Sequence, residues 1–140
     1  MSSVLTLHFD IDGDNFIAAG EASTAVKMKL KKLGISPDVI RRVAIAMYEA
    51  EINAVIHAGG GTADVDIDSD KIVIVIKDEG NGIADLDLAM QEGYSTASDD
   101  VRNLGFGAGM GLPNIKKYSD DLVINTGVGK GTTLIITIKM

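Results

Sequence analysis

Five consecutive β-branched apolar residues between two lysines, "KIVIVIK" at 71–77, decide most of what this chain can become. Such residues are stiff at χ1 and suit a pleated surface better than a helix. A run that is apolar at both parities predicts a central strand buried on both faces. "ADVDID" (63–68) just before it alternates cleanly, as an antiparallel strand with one wet face does. The two are joined by "SD", so an antiparallel hairpin sits at the heart of the sheet.

The flanking segments follow from the same reasoning. "VLTLHFDI" (4–11) alternates as a strand and ends in the turn residues Asp12-Gly13-Asp14-Asn15. Residues Phe16 to Leu33 read as a helix with Gly34 as its C-cap. Ser36-Pro37-Asp38 is a helix start, with Ser36 at the N-cap and Pro37 at the first position. That second helix is expected to run to about Ala58 and stop at "GGG" (59–61). After the hairpin come "DEGNGI" (78–83), a short helical stretch at 85–92 and an aperiodic segment, 93–104, that reads as a mobile loop. A helix (about 113–118), a strand (121–126), the turn "GVGKG" and a last strand (132–139) complete the chain. The order β-α-α-β-β-α-α-β-β implies one α+β domain over 1–140. It is a two-layer sandwich of a mostly antiparallel sheet with helices on one face.

Composition narrows the function. The net charge is −7, and the one basic cluster is "KMKLKK" at 27–32, which argues against nucleic acid as a partner. No apolar run approaches the ~20 residues of a membrane span, and "MSSVLTLHFD" lacks the form of a secretory signal. With no cysteine there is no disulfide or thiol chemistry, and a cytoplasmic location is expected.

Three groups of residues carry candidate chemistry. In "YEAEINAVIHA", Glu49 and Asn53 lie one helical turn apart and share a face, His57 extends the line, and Glu51 points nearly opposite. This is either a solvent-facing polar stripe or a site. As a site, the Asn53 carbonyl would ligate Mg²⁺ and Glu49 would act as a general base on an attacking hydroxyl. Glu51 is expected to matter to neither. In "KDEGNGI", Asp78 ends a strand ahead of Gly80 and Gly82. It is either an ordinary turn or a carboxylate that accepts a hydrogen bond from an exocyclic amine, with the glycines admitting a flat base.

The third group is "NLGFGAGMGLPNIKK" (103–117), where Gly105, Gly107, Gly109 and Gly111 precede a helix. Alternate glycines let backbone N–H groups turn inward at a positive helix end, which suits phosphate. The segment contains no G-x-G-x-x-G. "GVGKGTT" is not a Walker A loop either, because Ile124 stands six before Lys130 and Gly131 follows it. Thr132 is the residue of that turn able to reach a phosphate. His8, in an edge-like strand, reads as structural, and His57 as a helix-end packing residue, since no second His or Cys is available to complete a metal site with it.

In order, Glu-x-x-x-Asn on a helix, Asp-x-Gly-x-Gly after a strand, the glycine loop before a helix and Gly-Thr opening the last strand resemble a known fold. It is the ATP-binding fold shared by gyrase, the 90-kilodalton heat-shock chaperone, histidine kinases and mismatch-repair ATPases (the GHKL superfamily). The likeness covers about residues 40 to 138. The short length resembles the bacterial anti-sigma regulatory factors, which are serine/threonine protein kinases. "EGYSTAS" and "GAGMGLPNIKK" look most like the switch kinases of the stressosome module.

The resemblance implies that Asn53 binds Mg²⁺, Asp78 the adenine amino group, and Gly80 and Gly82 the base and ribose edge. Gly105, Gly107, Gly109 and Gly111 would wrap the phosphates of ATP, Thr132 would support the adenine side, and Glu49 would be the base. It also implies a partner, a small antagonist protein of the sulfate-transporter/anti-sigma-antagonist (STAS) type, with a sigma factor or a phosphatase as further candidates. Two features depart from the pattern: "DDVRNL" (99–104) lengthens the lid, and Asn81 stands where proline is common. No dimerisation helix with a phospho-accepting His precedes residue 40, which argues against a complete histidine kinase. A second reading keeps ATP but no phosphotransfer, with nucleotide state controlling partner binding. A third, a free-standing ATPase, lacks a partner domain to clamp and release.

Overall fold

The computed structural model describes residues 5–12, 20–80, 111–126, 129 and 131–140. The hairpin forms as expected. Strands β2 (Gly60–Ile67) and β3 (Lys71–Asp78) pair antiparallel, from Thr62 opposite Lys77 to Ile67 opposite Ile72. Asp68 makes the turn: its Oδ1 accepts from the backbone N–H groups of Asp70 and Lys71, both at 2.8 Å. Those two donors hold the Asp68 carboxyl below its ordinary range.

β1 (Leu5–Asp12) pairs with β2, β5 (Thr132–Lys139) with β3, and β4 (Asp121–Thr126) with β5, every pair antiparallel. The sheet order is β1-β2-β3-β5-β4, so "KIVIVIK" is indeed central. It is not sealed on both faces. Ile72, Ile74 and Ile76 are buried under the helices, whereas Val73 and Val75 on the other face are only half-buried. One layer of helices cannot cover both sides of a sheet, so this strand is central in order and covered on one face.

Helix α1 (Glu21–Lys32) packs beside β1, α2 (Pro37–Ala58) crosses β2, β3 and β5, and α3 (Gly111–Tyr118) lies against α2 and β4. This is the α+β sandwich expected. Val26 and Leu30 of α1, Val43 and Met47 of α2, and Ile115 of α3 meet Val65, Ile74 and Ile136 of the sheet in one fully buried core. α2 starts as the sequence predicts, with the Ser36 side chain accepting from the Val39 N–H and Pro37 in the first turn. It ends at Gly59, which adopts φ 71°.

Three boundaries differ from expectation. α1 begins at Glu21 and not Phe16, because Gly20 has φ 98°, a left-handed conformation that no helix can pass through. β2 begins at Gly60, since Gly60 and Gly61 pair with Asp12 and Ile11 and are part of the strand as well as the helix stop. α3 opens at Gly111, two residues early. The expected helix at 85–92, the loop at 93–104 and the turn at 13–15 lie outside the described residues.

One end of the sandwich is pinned by Arg42. Its guanidinium donates to Asp38 Oδ2 (3.2 Å), Asp120 Oδ2 (3.0 Å) and the Lys139 carbonyl (3.1 Å). Asp120 Oδ2 also accepts from the Lys139 N–H at 2.7 Å. That backbone bond first, and Arg42 second, keep the Asp120 carboxyl below its usual range. The early part of α2, the approach to β4 and the end of β5 are thereby tied together.

Candidate functional site

The opposite end collects the candidate residues. α2 leads through Gly59 into β2, and the start of β2 lies beside the end of β3, where Asp78 pairs with Thr132 at the start of β5. Asn53 precedes the end of α2 by five residues, about 7.5 Å along the axis, and Glu49 lies about 6 Å further back. α3 runs antiparallel to α2. Its Asn114 amide hydrogen-bonds Glu49, while the ring of Tyr118 lies under the Arg41 guanidinium at 5.6 Å. The N-terminus of α3 at Gly111 therefore faces the same end as Asn53, Asp78 and Thr132.

Asp78 is held by two backbone donors. Its Oδ1 accepts from the N–H of Gly80 at 3.0 Å and of Thr132 at 3.1 Å. Among the described residues no hydrogen bond reaches Oδ2, so the carboxylate is oriented through one oxygen and presents the other. Two glycines make room for the backbone that carries it. A Cβ on Gly61 would lie 2.2 Å from the Lys77 carbonyl oxygen and 3.1 Å from Asp78 Cα. A Cβ on Gly131, where φ is +74°, would lie 2.3 Å from the Asp78 carbonyl oxygen. Thr132 is buried, and its hydroxyl is engaged with that of Thr126 at 2.9 Å. What Thr132 supplies among the described residues is the backbone donor that aims Asp78.

Glu49 and Asn53 are both half-buried. Burial pushes the Glu49 carboxyl above its ordinary range, and the hydrogen bond from Asn114 pulls in the other direction. The Asn53 side chain has no hydrogen bond among the described residues. No cluster of three or more metal-ligating side chains exists among them either. A Mg²⁺ here would take the Asn53 carbonyl with phosphate and water oxygens, the arrangement this ion commonly adopts beside nucleotides. Gly82, Gly105, Gly107, Gly109 and the His57 side chain lie outside the described residues.

The sequence pattern of the histidine kinase-like ATPase domain matches residues 17–138. The chain belongs to that family. Among its relatives is the serine/threonine-protein kinase RsbT of Bacillus subtilis, 30% identical over 108 residues that cover 74% of this chain and 75% of the relative. An anti-sigma F factor of Thermoanaerobacter sp. is 31% identical over 132 residues, 88% of this chain and 89% of the relative. Another, from Caldanaerobacter subterraneus, is 33% identical over 121 residues, covering 83% and 81%. A crystal structure of the RsbU and RsbW domains of Rv1364c from Mycobacterium tuberculosis superposes with a TM-score of 0.63 at 19% identity. The match takes in 96% of this chain and 32% of that longer one, and it shows the shared fold.

A histidine kinase-like ATPase domain binds ATP, and three features of this one had no reading in the sequence. Gly61 and Gly131 crowd Asp78 from either side, yet they resemble a helix stop and a hairpin turn in the linear chain. Asn114 reaches Glu49 from another helix, 65 positions away in the sequence. Glu51, expected to be neutral, is 3% exposed and caps α1. Its Oε2 accepts from the N–H groups of Gly20 (2.9 Å) and Ala22 (3.2 Å), and Oε1 from that of Ser23 (3.0 Å). The expectation that Glu51 points away from Glu49 holds, but the far side of α2 is an interior contact and not a neutral surface. His8 behaves as a structural residue, bridging Asp64 (2.6 Å) and Asp10 (3.4 Å) on the helix-free face of the sheet. Among the described residues no helix is long and apolar enough to cross a membrane.

Proposed function

We propose that the chain is a Mg·ATP-dependent protein serine/threonine kinase of the partner-switching, anti-sigma regulatory type. Its substrate is a small STAS-type antagonist protein, and a sigma factor or a phosphatase is a further partner. The observation that carries this reading is Glu49: a half-buried, hydrogen-bonded carboxyl one turn from Asn53, beside the helix that follows the glycine loop. Relatives named as a serine/threonine-protein kinase and as anti-sigma factors support it.

In this reading Asp78 accepts the adenine amino group through Oδ2, and Gly80 and Gly82 leave room for the base and ribose edge. Asn53 gives its carbonyl to Mg²⁺, and the phosphates lie against the N–H groups of Gly105, Gly107, Gly109 and Gly111 ahead of α3. Mg·ATP supplies an electrophilic phosphoryl group whose transfer depends on position and charge neutralisation. Glu49 takes the proton of the partner's seryl or threonyl hydroxyl as its oxygen bonds to the γ-phosphorus. The bond from that phosphorus to the β–γ bridging oxygen breaks, and ADP leaves.

The test is transfer of label from γ-labelled ATP to the antagonist co-purified with the chain from its native cell. Glu49→Gln is expected to lower transfer at least about a hundredfold, because general-base assistance contributes roughly 10²–10⁴-fold, while ATP affinity stays within a few-fold. The base acts when ionised and its pKa is raised. The acid limb of the wild-type rate profile should therefore lie above the ordinary glutamate range, with the rate falling as pH drops through it. Absence of transfer by the wild type to any co-purified partner would instead support nucleotide-controlled binding without chemistry.

A further inference from the structure

We infer that Thr126 is a positioning residue for Asp78: its hydroxyl locks the Gly131–Thr132 peptide plane, whose N–H aims the carboxylate at the base. The inference rests on the reading of Asp78 as the acceptor of the adenine amino group. Thr126 ends β4 and stands opposite Thr132, the first residue of β5. Its Oγ1 donates to the Gly131 carbonyl at 3.2 Å and lies 2.9 Å from Thr132 Oγ1. The Thr132 N–H donates to Asp78 Oδ1 at 3.1 Å. That N–H and the Gly131 carbonyl belong to one peptide group. Thr126 thus holds the oxygen of the plane whose nitrogen holds Asp78.

Planarity makes the link direct. The C=O and N–H of a trans peptide point in opposite directions from one rigid group, so fixing one end fixes the other. This plane needs fixing, because it follows a glycine with φ 74° and no Cβ to limit its rotation. A side chain on that residue cannot serve as the brake: a Cβ on Gly131 would lie 2.3 Å from the Asp78 carbonyl oxygen. The brake comes from the neighbouring strand. A hydroxyl suits the task because it donates and accepts at once. Its single proton goes to the Gly131 carbonyl, so in the 2.9 Å contact Thr132 donates and Thr126 accepts. Thr132 is buried and Thr126 half-buried, which limits competition from water. With the Gly80 N–H also on Oδ1 at 3.0 Å, that oxygen carries two donors, and Oδ2 is the one left for the amine.

Two measurements on the full chain test this, and the first needs no nucleotide. Deuterium exchange of the Thr132 amide is followed by NMR, with the Ile136 amide in the middle of β5 as the reference for the strand. Thr126→Val keeps the shape and the strand preference but loses the hydroxyl. It is expected to speed exchange at Thr132 at least about fivefold relative to Ile136. Thr126→Ser, which keeps the hydroxyl, should restore the wild-type ratio. An unchanged ratio in Thr126→Val overturns the inference. Thr126→Ala is expected to behave as the valine variant does, should that one not fold.

In the second, calorimetry gives the affinities for Mg·ATP and for purine riboside triphosphate, which lacks the amino group. Thr126→Val should weaken ATP binding about five- to tenfold, the worth of a misdirected hydrogen bond. Binding of the analogue should stay at its wild-type level, because only the amine depends on where Asp78 points. The loss for ATP should also vanish in the Asp78→Asn background, since a residue acting through another has nothing left to act on. An equal loss for both nucleotides, or one that persists beside Asp78→Asn, would show a general effect of β4 on the pocket and overturns the proposal. Should Asp78→Asn itself bind ATP like wild type, the adenine reading falls, and exchange at Thr132 still decides whether Thr126 holds the peptide.

Discussion

Glu49 and Glu51 are two positions apart on one helix and face environments with opposite demands. Glu51 is an interior acceptor for three backbone donors at the N-terminal end of α1. Glu51→Gln keeps the shape but turns an amide NH₂ toward N–H groups, leaving at least one buried donor without an acceptor. Hydrogen bonds to a charged group are worth about 1.5–3 kcal/mol each, so a loss of roughly 2 kcal/mol in unfolding free energy is expected. For a chain of this size that is several degrees of Tm. Glu49→Gln removes a carboxyl whose raised pKa already marks its ionised form as disfavoured by the fold. Thermal unfolding should therefore leave Glu49→Gln near or slightly above wild type while Glu51→Gln melts early. The reverse order would mean that the capping of α1 contributes little.

At the level of elements, the end of β3 shows how a site is shaped by the strands beside it. Gly61 in β2 and Gly131 before β5 flank the Asp78 backbone so closely that a methyl on either would overlap a carbonyl oxygen. Gly61→Ala is expected to force β2 and β3 apart at this end, and Gly131→Ala to add the strain of a left-handed φ. Both should weaken ATP binding at least about tenfold, as Asp78→Asn should, which calorimetry on the folded variants measures. Wild-type affinity in Gly61→Ala would show that the strand end has slack. Alternation and caps were readable along the chain because each depends on neighbours in sequence: the central place of "KIVIVIK", the Ser36-Pro37 helix start and the hairpin turn at "SD" fell where expected. The glycine pair and the Glu51 cap were not readable. Their partners lie across the fold, and a backbone N–H or carbonyl leaves no mark in the sequence. The start of α1 was misjudged because Gly20 adopts a left-handed φ that stops the helix within an otherwise helical pattern.

Across the whole molecule the two ends of the sandwich are built differently. Arg42, Asp38, Asp120 and Lys139 tie three elements at one end, and among the described residues the other end presents glycines, Asn53 and Asp78. Arg42→Ala should lower Tm by a few degrees, as partly buried ion pairs with several hydrogen bonds do. ATP affinity should stay near wild type, because the clamp is at the far end from Asp78. A large loss of affinity would show that the ends communicate. The carboxylate of Glu51 also limits which motions a nucleotide can drive. Turning α2 about its axis would pull that group from all three amides at once, an opening too costly to be populated at ordinary temperatures. α2 then works as a stator, and the parts free to respond are those on its other flank, where α3 meets Glu49. Amide exchange at Gly20, Ala22 and Ser23 should run at the same slow rate with and without Mg·ATP.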